Sequence, residues 1–313
     1  MAASPRGLAG DPSEGADRTA IMIVNPAAGR GRAEAKAGAV ERALRRRGAE
    51  IDVRQGDTAA DTRRLVEQAV AERPDVLVIA GGDGTISAVL DLLADAPVPL
   101  AVVPGGTGND FAAALELPQD PERLADTILR GLPRAVDLGV VRSDRGSRLF
   151  LTVAACGFDA KVAARTNRLR WPRGALRYYL ALALELIRLA PQRYRVTDEQ
   201  GDREAPGTLL ALCNTRCYGG GMPIAPKAIP DDGRLEVVHV APLGRIRLLR
   251  LFPQLLHGTH MMLPEVTAWD TREITVSAPA LVVYADGERV AQGSCTVAVR
   301  RGALTVLVPV FRR

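Results

Sequence analysis

Three glycine-rich segments, each placed directly after a short apolar run, constrain this chain more than any other feature. Residues 20–24 lead into Asn25-Pro26-Ala27-Ala28-Gly29-Arg30-Gly31, residues 76–80 into Gly81-Gly82-Asp83-Gly84-Thr85, and residues 100–103 into Pro104-Gly105-Gly106-Thr107-Gly108-Asn109-Asp110. Short apolar runs of this kind are the mark of strands buried on both faces. Helical stretches alternate with them: residues 32–47, ended by Gly48, and, after a strand at 51–54, residues 60–73, stopped by Pro74. The order βαβαβαβ predicts an α/β domain, a Rossmann-like three-layer arrangement with helices on both faces of a parallel sheet. Such sheets bind ligands in loops at the carboxyl ends of their strands, where the glycine segments stand.

After about Val136 the pattern changes. Strand-like runs follow one another at 136–141, 149–155, 194–197, 208–213, 235–240, 273–277, 281–285, 296–299 and 303–308. Several alternate apolar and polar residues, as half-buried antiparallel strands do. Helical stretches at 174–190 and 245–256 interrupt them. The expected organisation is a tail at 1–19, an α/β domain at 20–140 and a β-rich, sandwich-type domain at 141–313. The last strand is expected to pack back on the first domain. The tail is rich in Gly, Ala, Ser and Pro and reads as disordered.

The glycines suit phosphate. Without a Cβ the backbone N–H groups approach an anion closely, and a following helix adds favourable partial charge. Thr85 and Thr107 add hydroxyls. There is no G-x-x-x-x-G-K-[ST], which excludes a P-loop NTPase, and no G-x-G-x-x-G after a strand, which counts against an ordinary dinucleotide fold. Asp83 and Asp110 would repel phosphates unless Mg²⁺ stood between them, so the loops point to Mg-dependent phosphoryl transfer. Further on, Asp286-Gly287-Glu288 follows an apolar run directly. It reads as a hairpin turn or as a carboxylate placed to accept a proton. Asp231-Asp232-Gly233 is likewise a turn or a metal site.

Together these motifs resemble the catalytic domain of the diacylglycerol kinase family, which includes bacterial soluble lipid kinases and the sphingosine and ceramide kinases. The resemblance extends through Gly157-Phe158-Asp159-Ala160, through Gly219-Gly220-Gly221-Met222 and its continuation to Gly233, and to Asp286-Gly287-Glu288. It implies an α/β nucleotide domain followed by a β-sandwich, and an ATP- and Mg²⁺-dependent lipid kinase. Carried over residue by residue, it makes Asn25, Pro26, Ala27, Ala28 and Gly29 one ATP loop. Gly81, Gly82, Asp83, Gly84, Thr85, Ile86 and Ser87 become a second, and Gly106, Thr107, Asn109 and Asp110 a third. Thr58 falls at a nucleotide-contacting position. Asp232 matches a structural Mg²⁺ ligand, with the carbonyls of Ile229 and Arg234. Glu288 and Asp286 match the acids near the acceptor hydroxyl, and Asp83 acts through metal or water. Ala28 departs from a frequent serine and Arg30 from a frequent lysine. A kinase of a soluble hydroxyl, such as an NAD kinase, and an inactive nucleotide-binding regulator remain alternatives.

Composition narrows the partners. The net charge is +5, and residues 161–195 hold nine Lys/Arg against one acid, Glu185. That stretch reads as a solvated face or as a surface for anionic lipid. No nucleic-acid motif accompanies it, and aromatics are only 4%. The helix at 174–190, apolar on nearly every face, reads as a core helix or as a wall of an acyl-chain pocket. His257 and His260 read as surface or packing residues, and Trp171 and Trp269 as packing residues. No run suits a transmembrane helix or a secretory signal, and four cysteines fit neither a disulfide framework nor a zinc site. A cytoplasmic, peripherally membrane-associated protein is expected. Oligomeric state stays open, a homodimer included.

Overall fold

The structure is a computed structural model describing residues 18–169, 171 and 175–310, without the side chains of 175–179. The expected tail lies almost wholly outside these residues. The first part runs β1 (Ala20–Val24), α1 (Arg32–Arg46), β2 (Ile51–Gln55), α2 (Ala59–Glu72), β3 (Val76–Gly81), α3 (Asp83–Ser87), α4 (Leu90–Leu93), β4 (Leu100–Pro104), α5 (Asp110–Ala114) and α6 (Pro121–Arg130). Then come β5 (Leu132–Ser143), β6 (Gly146–Phe150), β7 (Val153–Gly157), α7 (Phe158–Arg168), α8 (Ala175–Ile187), β8 (Gln192–Asp198), β9 (Gly201–Gly207), β10 (Leu209–Cys213) and β11 (Leu235–Val240). The chain closes with α9 (Arg245–Leu256), β12 (Val266–Thr271), β13 (Glu273–Ser277), β14 (Val282–Ala285), β15 (Glu288–Gln292) and β16 (Cys295–Val308).

Strands β2, β1, β3 and β4 lie parallel in that order. Alternation along them feeds two cores. Ile21, Ile23, Leu77, Ile79, Leu100 and Val102 face α2 through α5, while Met22, Val24, Val78, Ala80, Ala101 and Val103 face α1 and α6. Side-chain caps fix two helix starts: Thr58 accepts from the Asp61 amide at α2, and Asp120 from the Arg123 amide at α6.

The second part is a sandwich, but its first sheet is not separate. Beyond β4 the parallel sheet continues through β16, β13, β8 and β9, with β5 paired off β16 and β6 off β5, to make one ten-stranded sheet. β16 joins β4 in parallel at Val306↔Leu100 and runs antiparallel to β5 along most of its length. The facing six-stranded antiparallel sheet has the order β12-β11-β10-β7-β14-β15. Between the two lie Phe150, Tyr194, Val196, Ile274 and Val297 of the first sheet and Leu210, Leu212, Leu235, Val237 and Val283 of the second.

Several local readings change. The run at 149–155 is two strands, β6 and β7, because Leu151 and Thr152 turn their amides to a carboxylate instead of to a ladder. The runs at 296–299 and 303–308 are one bulged strand, β16. β9, β12, β15 and α7 were not legible, since charge or proline blurs their periodicity. Among the described residues no helix is long and apolar enough to cross a membrane.

Candidate active site

The three glycine loops meet at the carboxyl ends of β1, β3 and β4, and their glycines are spent largely on one another. A Cβ on Gly29, which has φ +60°, would stand 1.9 Å from the Gly105 carbonyl oxygen. One on Gly105 would stand 2.3 Å from Cα of Ala33, and one on Gly106 would stand 2.6 Å from Cα of Gly82. These contacts leave no room for side chains, so the loops interlock through bare backbone. Side chains tie them further. Asn25 donates to the Thr85 hydroxyl at 3.1 Å and accepts from the Ala27 amide. Arg32 donates to the carbonyls of Gly29 and Gly106, and Lys36 to that of Pro104. Burial and then the neighbouring Arg32 lower the Lys36 pKa.

An open cleft of about 340 Å³ lies where the loops meet. Of the expected ATP residues, Asn25, Ala27, Ala28 and Gly29 line one side of it, and Gly82, Gly84, Thr85 and Gly106 line the other. Gly81 ends β3 behind them, Pro26 sits in the first loop, and Thr107 is exposed at the rim. The side chain of Asn109 closes its own loop on the Gly106 amide and carbonyl. Two expectations shift. The Ile86 side chain is buried in the core under α3 and α4, so only its backbone is available to a ligand. The Thr58 hydroxyl is engaged with Asp61; Ala59 and Thr62, on the next turn, line the cleft instead. Thr62 is buried, and its hydroxyl has no partner among the described residues. Its place four residues after Thr58, one helical turn on, is the signal for it.

Three of the four acids are clamped by amides from other elements. Asp83 accepts from the amides of Asp110 and Phe111 at 2.9 and 3.1 Å, capping α5. Burial, together with the nearby Asp110 and Asp286, raises its pKa against those hydrogen bonds. Asp110 accepts from Gly220 and Gly221 at 2.8 and 2.6 Å, holding the Gly219–Gly221 loop against the first domain. Asp286, at φ +47°, accepts from the amides of Leu151 and Thr152, from the Thr152 hydroxyl and, at 3.1 Å, from the Ser87 hydroxyl. Four donors occupy its oxygens, so it fixes the turn. Glu288 differs: it opens β15, is exposed, and its side chain has no hydrogen bond among the described residues. On the far side of Ser87 a groove of about 580 Å³ is lined by Arg142, Arg148 and Arg300. Glu273 and Asp95 neutralise Arg142 and Arg300.

The turn carrying Ile229, Asp232 and Arg234 lies elsewhere, packed against β5. Buried Asp137 accepts from the Gly233 and Gly302 amides at 2.6 and 2.7 Å. Asp232 accepts from the Arg234 amide. Burial first, then Asp270, Asp137 and Asp231, push the Asp232 carboxyl above its ordinary range. Among the described residues no three acidic, Cys or His side chains gather as a metal site. Arg134 pairs with the neighbouring Asp231 at 2.7 Å, whereas Asp232 is exposed and has no ion pair among the described residues, an arrangement that fits a cation completed by carbonyls.

A second cavity is apolar. Phe158 of α7, Leu182 of α8, Leu209 of β10 and Leu248, Leu251 and Phe252 of α9 line it, and it holds only about 50 Å³. Its polar members are Asp159, Thr208 and His260. Asp159 accepts from the Tyr218 hydroxyl, and burial raises its pKa to about 6 against that bond. His260 is buried here, with Nε2 on the Ile224 carbonyl. Trp171, expected to pack, is 78% exposed, whereas Trp269 donates to Asp198 and stacks under Arg203.

Comparison with known proteins points to one family. Residues 19–141 match the diacylglycerol kinase catalytic domain. Residues 152–308 match the YegS C-terminal NAD kinase beta sandwich-like domain. A diacylglycerol kinase of Mycobacterium tuberculosis is 40% identical over 291 residues, 92% of this chain and 94% of that protein. A protein named "Probable lipid kinase YegS-like" from Stenotrophomonas maltophilia is 33% identical, covering 79% of this chain and 82% of its own. A crystal structure of a diacylglycerol kinase from Bacillus anthracis superposes with a TM-score of 0.71 at 20% identity, over 93% of this chain and 97% of that one, and so shares the fold. With two domain matches in series and a 40% identical relative along nearly its whole length, the chain belongs to the diacylglycerol kinase family of lipid kinases.

Proposed function

We propose that the protein transfers the γ-phosphoryl group of ATP to the hydroxyl of a diacylglycerol-like lipid, with Mg²⁺. One observation carries this reading: the Ser87–Asp286 hydrogen bond, which locks the acid turn of the second domain to the helix whose first residues line the glycine cleft. The triphosphate lies in the cleft against Asn25, Gly29, Gly82 and Thr85. The acyl chains enter the apolar cavity, which widens to take them. Glu288 accepts the hydroxyl proton while the lipid oxygen bonds to the γ-phosphorus and the bond to the β-phosphate oxygen breaks, releasing ADP. Asp286 holds the turn in place, and Asp83 and Asp110 hold the loops. Positioning and electrostatics do most of the work in such transfers. Mg²⁺ bound with ATP would neutralise phosphate charge, and Asp232 with the carbonyls of Ile229 and Arg234 would hold a separate ion that steadies their turn.

Incubation with γ-labelled ATP, Mg²⁺ and a panel of lipid alcohols tests this: label should appear in organic-extractable product. Label entering NAD, or no transfer, would defeat it. For the structural ion, EDTA should lower the melting temperature of the wild type but not of Asp232→Ala. An equal response in both would remove that ion.

A further inference from the structure

We propose that α9 and the short 3-10 turn after it, Thr259–Met262, form the surface by which this protein sits in an anionic lipid bilayer. The proposal rests on the lipid-kinase reading for its purpose, while its physical basis is independent.

α9 is apolar on two sides. Leu248, Leu251, Phe252 and Leu255, spaced i, i+3, i+4, i+7, line the apolar cavity. Ile246, Leu249, Pro253 and Leu256, spaced i, i+3, i+7, i+10, form a second stripe on the other side. Ile246 is 70% exposed, Leu249 62%, Leu256 46% and the nearby Met262 87%. A surface helix of a globular domain normally turns polar residues outward, and a helix that is apolar on both sides is covered by something.

Charge identifies what covers it. Residues 237–264 contain three arginines, Arg245, Arg247 and Arg250, and no acid. Arg247 pairs with Glu265 at 2.7 Å; Arg245 and Arg250 are exposed and have no ion pair among the described residues. An apolar stripe flanked by arginines is the composition of an interfacial helix on anionic lipid. A second copy docking by two-fold symmetry would set these arginines against their own images, with no acid in the segment to offset them. The placement also serves a lipid substrate. One side of α9 would lie in the bilayer while the other lines the cavity, so an acyl chain could pass between them without crossing water.

Of the basic stretch 161–195 only part is described. Arg193 and Arg195 lie on β8 in the other sheet, Arg165 pairs with Glu185, and Arg170 and Arg173 lie outside the described residues.

Sedimentation without ATP, using phosphatidylcholine vesicles with and without phosphatidylglycerol, tests the proposal. The variant Ile246→Ser/Leu249→Ser/Met262→Ser should bind anionic vesicles roughly tenfold or more weakly than the wild type. Its melting curve and its activity on short-chain, detergent-dispersed lipid should be unchanged, since none of the three residues lines the cavity or cleft. Arg245→Gln/Arg250→Gln should weaken binding to anionic vesicles and leave binding to neutral ones unaltered. Equal pelleting of the wild type and the apolar variant would overturn the proposal. So would a wild-type dimer that the apolar variant splits while vesicle binding is kept. Vesicle binding that depends on these residues, in a chain that labels no lipid, would uphold the surface and sink the kinase reading.

Discussion

The glycine cleft and the apolar cavity are built by opposite means. Backbone makes the cleft: three loops, each within a few residues of a strand end, pressed together where glycines admit no side chain. Side chains make the cavity, drawn from α7, α8, β10 and α9, and it is small, at about 50 Å³. A triphosphate has one shape and suits a preformed cradle. Acyl chains vary in length, and a cavity bounded by helices opens by shifting a helix instead of remodelling a sheet. The two regions are coupled through acids. Asp110 reaches Gly220 and Gly221, and two residues earlier Tyr218 donates to Asp159 in the cavity wall.

The sharpest test of this contrast sets Glu288 against Asp286. Glu288→Gln should cut kcat by about 10²–10⁴, the usual worth of a general base, with an unchanged melting temperature because its side chain is exposed and unbonded. Asp286→Asn should lose stability as well, by about 2–3 kcal/mol in urea unfolding, because an amide NH₂ would face donors that the carboxylate now accepts. Full activity in Glu288→Gln would transfer the proton-accepting role to another group.

A smaller effect tests whether the cleft is backbone-built. Gly105→Ala places a methyl 2.3 Å from Cα and 2.4 Å from Cβ of Ala33, with nothing flexible to yield. Overpacking of this kind costs about 1–3 kcal/mol and should raise the KM for ATP as the loops part. An unchanged KM would mean that the loops move independently.

The smallest expected effect concerns the cavity. Asp159 has a pKa raised from 3.8 to about 6 by burial, so the folded state resists its ionisation. Its penalty is absent below about pH 4, grows as pH rises through about 6, and is complete above that. Asp159→Asn keeps an acceptor for the Tyr218 hydroxyl and removes the penalty. The variant should therefore gain on the wild type between pH 4 and 7, by at most about 3 kcal/mol. Parallel stability curves for the two proteins would show the carboxyl to be hydrated.

Legibility followed the distance over which each feature is decided. β1, β3, β4, α1 and α9 fall where periodicity put them, because each is specified by its own residues and stops. The polar edge strand β9, with Asp202, Arg203, Glu204 and Pro206, carries no apolar alternation and is a strand only because β8 pairs with it. Thr62 and Ile86 illustrate the same limit inside the site. Neighbouring positions on short helices differ in whether they face ligand or core, and that depends on how the helix is rotated on the sheet.

From sequence alone came the α/β-then-sandwich order, the three glycine loops at strand ends and the acids they accompany, because turn chemistry and hydrophobic period are local properties. Tertiary structure alone decided that Asp286 is clamped while Glu288 is free, that one sheet runs through both domains, and that α9 is apolar on both sides. Each of these depends on which amide, strand or empty space lies opposite a residue, and those partners stand far away along the chain: Ser87 and Asp286 are 199 residues apart.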